Sequence, residues 1–196
     1  MKFNLLYIVV FLFVISCKQE VQKSNKKESN IASIEVDTIG KTDKLSQEKN
    51  ENTIRRFIGK SLDVLKQSKE FRNYSFGWGT IDSDENSDLN YSLGSFKGSG
   101  DIDKYVVFLK RNNGNKILDI LNLTKEKVLE EDDKNLYYHF CYKDNKNDQE
   151  IIAIATYEEE EFLTKILKAW RADRKTEKII EIPIDGITVS NEEYGL

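Results

Sequence analysis

The first candidates for chemistry in this chain are a histidine and a cysteine two residues apart. His139 and Cys141 follow Tyr137 at alternate positions of a segment that predicts a β-strand, so their side chains would share one face. Neighbours on one strand face start roughly 6.5–7 Å apart, whereas a nucleophile and its base need about 3 Å between heavy atoms. The pair also supplies only half of a zinc site. We predict core packing for both residues, and no catalytic or metal-binding residue in the chain.

Acidic runs are the second source of chemistry. Carboxylates are contiguous at 130–133 and 158–161, and the segment 82–88 has the alternating oxygen side chains of an EF-hand loop. That loop carries Ser87 where calcium loops need glycine, and Leu93 where they need a bidentate glutamate. Paired carboxylates hydrolyse glycosides only when a cleft holds them apart. We therefore predict that these runs are solvated surfaces.

Aromatic residues provide a third candidate, for binding. Tyr74, Phe76 and Trp78 alternate with Ser75, Gly77 and Gly79, so a strand would place the three rings on one face. One interpretation is a core face on which glycines let another element pack closely. The other is an aromatic platform for a sugar or a peptide, and on that interpretation Tyr74, Phe76 and Trp78 are the candidate ligand-binding residues.

The elements that position these residues follow from hydrophobic periodicity. Apolar residues of 53–69 recur at helical spacing and predict one amphipathic helix, with Gly59 as a weak point. Strands are predicted at 105–111 and 116–123, joined by an Asn-Gly turn, and at 150–157, where the apolar residues 151–155 on both faces indicate a central strand. Further strands are predicted at 74–79, 89–97, 136–142, 178–183 and 187–189.

The segment 158–173 fits two structures. Phe162, Ile166, Ala169 and Trp170 match a helical stripe, but the alternation around Trp170 and the polar turn at 173–177 favour a hairpin, which we predict. The predicted fold class is α+β: an N-terminal amphipathic helix packed on a mostly antiparallel sheet of about six to eight strands. In the alternative, the segment 158–173 forms a second helix in place of the first strand of the hairpin.

Charge and length restrict the partners. From residue 51 onward there are 22 Lys and Arg against 28 Asp and Glu, a net charge of −6, and the whole chain of 196 residues has −4. Binding to nucleic acid requires clustered basic charge, so no nucleic-acid partner is expected. The part from residue 51 onward has the size of a single domain with one core.

The amino-terminal residues are typical of a targeting segment. Lys2 precedes an unbroken apolar run, 5–14, of the length found in signal peptides and short for a membrane-spanning helix. The run ends in Val14, Ile15, Ser16 and Cys17. This ending resembles the lipobox of bacterial lipoproteins, although Ile15 stands where a smaller residue is usual. The alternative is an ordinary secretory signal or an uncleaved anchor.

The lipobox resemblance implies how the chain is processed. The bond between Ser16 and Cys17 would be cut, and Cys17 would carry acyl chains on its sulfur and usually on its new amine. Three regions follow: 1–16 as signal peptide, 17–50 as lipidated cysteine and polar, disordered tether, and 51–196 as one globular domain. Abundant Lys and Asn with a single proline resemble the composition of Bacteroidota envelope lipoproteins.

These observations predict a function class rather than a reaction. We expect a lipoprotein anchored to a membrane of the cell envelope, the outer membrane in a Gram-negative cell, on its periplasmic or surface face. Without a recognisable catalytic motif, its domain is expected to be a non-catalytic binding or inhibitor module for a protein or a glycan, without a cofactor. The alternatives are a structural or assembly factor of an outer-membrane complex, and an enzyme with no recognisable motif.

Overall fold

The computed structural model describes residues 51–81 and 91–195. The predicted signal peptide, Cys17 with its tether, and the acidic segment 82–88 lie outside the described residues. The described chain forms twelve β-strands: β1 Ser75–Ile81, β2 Tyr91–Lys97, β3 Asp103–Lys110, β4 Lys116–Asn122, β5 Lys134–Tyr138, β6 Cys141–Lys143, β7 Lys146–Asn147, β8 Ile151–Thr156, β9 Phe162–Leu163, β10 Ile166–Asp173, β11 Lys178–Ile182 and β12 Ile187–Ser190.

The strands form three four-stranded sheets. The order is β1-β2-β3-β4 in the first sheet, β11-β10-β8-β5 in the second and β7-β6-β12-β9 in the third. Every strand pair in the described residues is antiparallel. The predicted α+β class with one sheet is therefore wrong: these residues form an all-β assembly of three sheets, with little helix.

The predicted helix over 53–69 is the clearest error. Its residues form two short helices, α1 at 51–55 and α2 at Leu62–Lys66, separated by turns. Gly59 has φ +86°, outside the helical region, and its N–H donates to the Ile117 carbonyl at 2.7 Å. The Ile117 N–H donates in return to the Lys60 carbonyl at 2.8 Å. Pairing with β4 thus replaces the middle of the helix, while the stripe residues Ile54 and Phe57 are still buried.

Three apolar layers hold the sheets together. Between the first and second sheets lie Leu93, Phe108, Ile152, Ile154 and Trp170. Between the second and third sheets lie Cys141, Ile151, Ala153, Leu163 and Val189. The outer face of the first sheet is covered by the helical segment through Phe57, Leu65, Phe71, Phe96 and Leu109.

Strand β8 explains the central position of the second sheet. Residues 151–155 have no exposed surface, because alternate side chains enter the layers on either side. This confirms the prediction of a central strand covered on both faces. The hairpin predicted beyond residue 158 is also confirmed: β10 pairs with β11 around the turn at 174–177. Short 3-10 turns at Ser99–Asp101, Arg111–Asn113 and Lys127–Glu130 complete the described structure.

Candidate functional site

A cleft of about 860 Å³ lies where β1, an edge of the first sheet, faces β5, an edge of the second. Residues at the end of β12 and just beyond it complete the wall. The residues that matter below are contributed by four strands, one 3-10 turn and the bend after β5: Trp78, Lys97, Asp101, Asp103, Tyr138 and His139. The cleft is therefore built from residues far apart in the chain, which only the stacking of the sheets brings together.

His139 marks the point where the chain leaves the second sheet for the third. Its φ is +77°, in the left-handed region, so β5 ends before it and the chain turns toward β6. Its ring lies against the backbone of Gly79: a Cβ built at that position would come within 2.3 Å of His139 Nε2. The missing side chain of Gly79 therefore makes the space that the imidazole fills beside the cleft.

Asp103 is the most unusual polar group of the cleft. Its Oδ1 is buried and has no hydrogen-bond partner in the described part of the chain. Burial raises the pKa of the carboxyl, the negative charge of Asp101 adds to this, and a hydrogen bond from Ser95 and the charge of Lys97 oppose it. A buried acceptor without a donor costs stability, on the order of 1–3 kcal/mol.

A chain of hydroxyls connects Asp103 to the second sheet. The Ser95 Oγ and the Tyr138 phenol oxygen are 3.1 Å apart. Either hydroxyl can be the donor of this pair. When the Ser95 proton turns to the Asp103 carboxyl, where it lowers the pKa, the phenol is the donor to Ser95. Burial raises the pKa of Tyr138, which therefore keeps its proton at neutral pH.

Lys97 provides the positive charge of the cleft. It stands opposite Asp103 in the β2–β3 register, and its Nζ donates to Asp101 Oδ2 at 3.2 Å. Partial burial disfavours the ammonium, but the charges of Asp103 and Asp101 outweigh it and raise the pKa of Lys97. Lys97 therefore places one cation among the carboxylates of the cleft wall, Asp101, Asp103, Glu192 and Glu193.

The three aromatic residues singled out in the sequence have different environments. Tyr74 and Phe76 pack into the cluster under the helical segment, with ring centroids 5.8 Å from Phe71 and 4.7 Å from Phe96 respectively. Trp78 is 51% exposed and lines the cleft. The Arg111 guanidinium lies 5.7 Å from its ring centroid. Trp78 pairs with Gly94 and lies two residues from Phe76, so its ring is on the outer face of the first sheet with Phe76, at the β1 edge that borders the cleft.

The sequence-based pairing of His139 with Cys141 on one strand face is not what the structure shows. The bend at His139 puts Cys141 in the third sheet, where it has no exposed surface. Its Sγ–H donates to the Tyr137 carbonyl at 3.8 Å, and burial raises the pKa of the thiol to about 12. The thiol is therefore a packing group and not a nucleophile at neutral pH. Within the described residues, no group of three or more His, Cys, Asp or Glu could hold a metal ion.

Sequence reasoning missed Asp103, Lys97, Ser95 and Tyr138. The available signal was weak: Ser95 and Lys97 continue the inward-facing alternation of Leu93 on β2, where apolar residues are expected. A polar residue at such a position indicates either a partner or a site. Tyr138, the partner of Ser95, is 43 residues away in the chain, so no local spacing could have identified the pair.

No protein-family model, no curated protein and no solved structure matches this chain significantly. The geometry of the cleft is thus the only basis for a functional proposal about the described residues. Within those residues, none of the helices has both the length and the apolar character needed to cross a bilayer.

Proposed function

We propose that this protein is a lipid-anchored, non-catalytic binding module of the cell envelope, and that its ligand, a protein segment or a glycan, occupies the cleft beside Asp103. The lipid anchor rests on the lipobox-like residues ending at Cys17. Two or more acyl chains would hold the chain on a bilayer, because each buried methylene contributes about 0.8 kcal/mol.

The cleft itself is the observation that carries the binding role. It has a volume of about 860 Å³, and polar side chains from the first and second sheets, Lys97, Asp103 and Tyr138, converge on it. The cleft lacks the parts of a covalent site: Cys141 lies in the core with a raised pKa, and the Ser95 hydroxyl is directed to a carboxylate rather than to an imidazole. These features favour recognition over bond-breaking.

The anchor is tested by intact-mass measurement of the full chain extracted from bacterial membranes. We expect a mature amino terminus at Cys17 that carries the mass of acyl chains, and loss of that mass in Cys17→Ser. An unmodified amino terminus in the wild-type membrane fraction would overturn the proposed anchor.

The cleft is tested by retention from an envelope extract. The immobilised full chain is exposed to the extract, and bound protein and carbohydrate are quantified by mass spectrometry. We expect a component that wild type and Asp63→Asn retain and that Asp103→Asn and Lys97→Met lose. Asp103 and Lys97 line the cleft, whereas Asp63 is an exposed carboxylate of α2 outside it. Equal retention by all four proteins, or no retained component, would overturn a binding role for the cleft.

A further inference from the structure

We infer that the ligand of the cleft is an extended, cationic segment of a protein, which adds to the free edge of β5 as a further strand. This inference rests on the proposed binding function and names the ligand class of the same site. Two observations support it: the backbone groups that β5 directs away from its own sheet, and the negative charge of the cleft walls.

The register between β5 and β8 determines which backbone groups of β5 point away from the sheet. The Tyr157 N–H donates to the Asp133 carbonyl at 2.7 Å, so these two opposite residues form a hydrogen-bonded pair. Bonded and non-bonded pairs alternate along an antiparallel ladder, and the β5–β8 register continues from this pair without a shift. Asn135 and Tyr137 therefore bond to β8, and the residues that follow each of them direct their backbone groups to the other side.

Those residues are Leu136 and Tyr138, and both line the cleft. Within the described chain β5 has no strand on this side, and none of the turn and loop backbone bonds reaches these two residues. The free stretch begins after Lys134, whose N–H donates to the Glu131 carbonyl at 3.1 Å. A row of unpaired N–H and C=O groups at a sheet edge is a template for an added strand, which is one of the recurring ways in which proteins bind extended peptides.

The two walls beside this edge have the charge that attracts a basic segment. The second sheet lies between the other two, so an added strand would direct alternate side chains to the first sheet and to the residues after β12. The first wall contains Asp101 and Asp103, and the second contains Glu192 and Glu193, which are exposed. The charge of Lys97 is offset locally by Asp101 at 3.2 Å. A cationic segment would gain from both walls, and an anionic one would be repelled.

The second wall acts on β5 itself and not only on the mouth of the cleft. Burial raises the pKa of Tyr137, and the negative charge of Glu193 contributes in the same direction. The carboxylate is therefore close enough to the edge strand to interact with its phenol. The side chains of a strand added beside β5 would lie within the range of the same charge.

The first test is titration calorimetry of the full chain in a non-ionic detergent with defined octapeptides. One probe alternates threonine with lysine, and a second alternates threonine with glutamate. The third is the lysine peptide with N-methyl groups on its two central amides. Because adjacent amides of a strand point to opposite edges, the methyl groups obstruct pairing on either edge and leave the charge unchanged. We expect the lysine peptide to bind, and the other two to bind about tenfold more weakly or less.

A matched pair of double variants tests the contribution of charge. Glu192→Gln combined with Glu193→Gln should weaken binding of the lysine peptide about threefold to tenfold, the effect of losing one or two exposed ion pairs. Asp63→Asn combined with Glu181→Gln removes the same number of exposed carboxylates, from α2 and β11 outside the cleft. This control should bind the peptide as wild type does.

Amide hydrogen exchange followed by NMR distinguishes strand addition from charge attraction alone. In the free protein the amides of Leu136 and Tyr138 should exchange faster than those of Asn135 and Tyr137, which bond to β8. When the lysine peptide binds, exchange should slow at Leu136 and Tyr138 by a larger factor than at the other two, because only the outward amides gain new acceptors.

The outcomes distinguish this inference from the function on which it rests. Equal binding of the lysine and glutamate peptides, undiminished binding of the methylated peptide, or full affinity in the Glu192→Gln and Glu193→Gln double variant would overturn it. So would unchanged exchange at Leu136 and Tyr138 in the bound state. A carbohydrate as the component retained through the cleft, or no binding of the lysine peptide, would also overturn it. Loss of the cleft-dependent retention itself would overturn the proposed binding function instead.

Discussion

Two partly buried carboxyl groups of this protein have opposite surroundings. Glu150, just before β8, binds two guanidinium groups: its Oε2 is 3.1 Å from Arg171 Nη1, and its Oε1 accepts from Arg174 Nε. Asp148 supports the same cluster by pairing with Arg171. Asp103 shares one lysine with Asp101 and leaves one oxygen without a partner. The first group has its donors within the fold, whereas the second has one oxygen that is buried without a donor in the described part of the chain.

The Glu150 cluster also explains the basic residues at the end of β10. Arg171, Arg174 and Lys175 are close together in the sequence. The structure ties both arginines to Glu150 and Asp148 through charge-assisted bonds. Because their charge is largely compensated within the protein, these two arginines are structural ties between β10 and the segment before β8.

Removing the charge of Glu150 should have the largest effect. Glu150→Gln keeps the shape of the side chain, but it takes the counter-charge from two arginines at a position where the acid is only 13% exposed. We expect the free energy of unfolding to fall by about 1.5–3 kcal/mol, the range for hydrogen bonds to charged groups. Urea denaturation at pH 7 measures it, with Glu181→Gln on β11 as an exposed control. A loss below about 0.5 kcal/mol would mean that the cluster is solvated.

The same acid-to-amide change at Asp103 should act in the opposite direction. Burial raises the pKa of this carboxyl, so the folded state disfavours its charge. Asp103→Asn removes the charge and keeps an acceptor for Ser95. We expect the free energy of unfolding at pH 7 to rise by about 0.5–1 kcal/mol, a gain typical of relieving a destabilised functional site. Ligand binding should be lost at the same time.

The pH dependence of stability tests whether the loss of the Asp103 charge causes that gain. With a folded pKa above the ordinary value of 3.8, the native state binds the Asp103 proton more tightly than the unfolded state. Wild-type stability therefore falls as pH rises from about 4 through the raised pKa, and the advantage of Asp103→Asn grows across that window. If Asp103→Asn exceeded wild type in stability by the same amount at pH 3 as at pH 7, the gain would come from packing and not from charge.

How much of the fold and of the cleft could be predicted depends on how far apart in the sequence the interacting residues lie. The 151–155 strand and the hairpin after Lys110 follow from local composition, because apolar residues on two faces and an Asn-Gly turn need no distant partner to be recognised. The prediction of one helix over 53–69 was wrong because β4, more than fifty residues away, pairs with Gly59 and Lys60. The cleft was missed for the same reason, since Asp103 meets Tyr138 through Ser95 only after two sheets stack.

The last predicted effect concerns the Tyr138 hydroxyl, which links the second sheet to the surroundings of Asp103. Tyr138→Phe removes the donor to Ser95 and should lower the free energy of unfolding by about 0.5–1 kcal/mol, the contribution of one neutral hydrogen bond. A Ser95 hydroxyl that accepts no bond is a weaker donor, because hydrogen bonds in a chain polarise one another. The pKa of Asp103 should therefore rise further in the variant.

Carboxyl carbon chemical shifts followed by NMR across the titration of Asp103 would measure that change, with Tyr157→Phe, on the same cleft wall, as the matched control. An unchanged pKa in Tyr138→Phe would mean that Ser95 donates to the carboxyl independently of the phenol. Asp103 would then depend on the first sheet alone, and the second sheet would contribute to the cleft only its shape. An upward shift confined to Tyr138→Phe would show that the contact between the two sheets sets the charge of the group that meets the ligand.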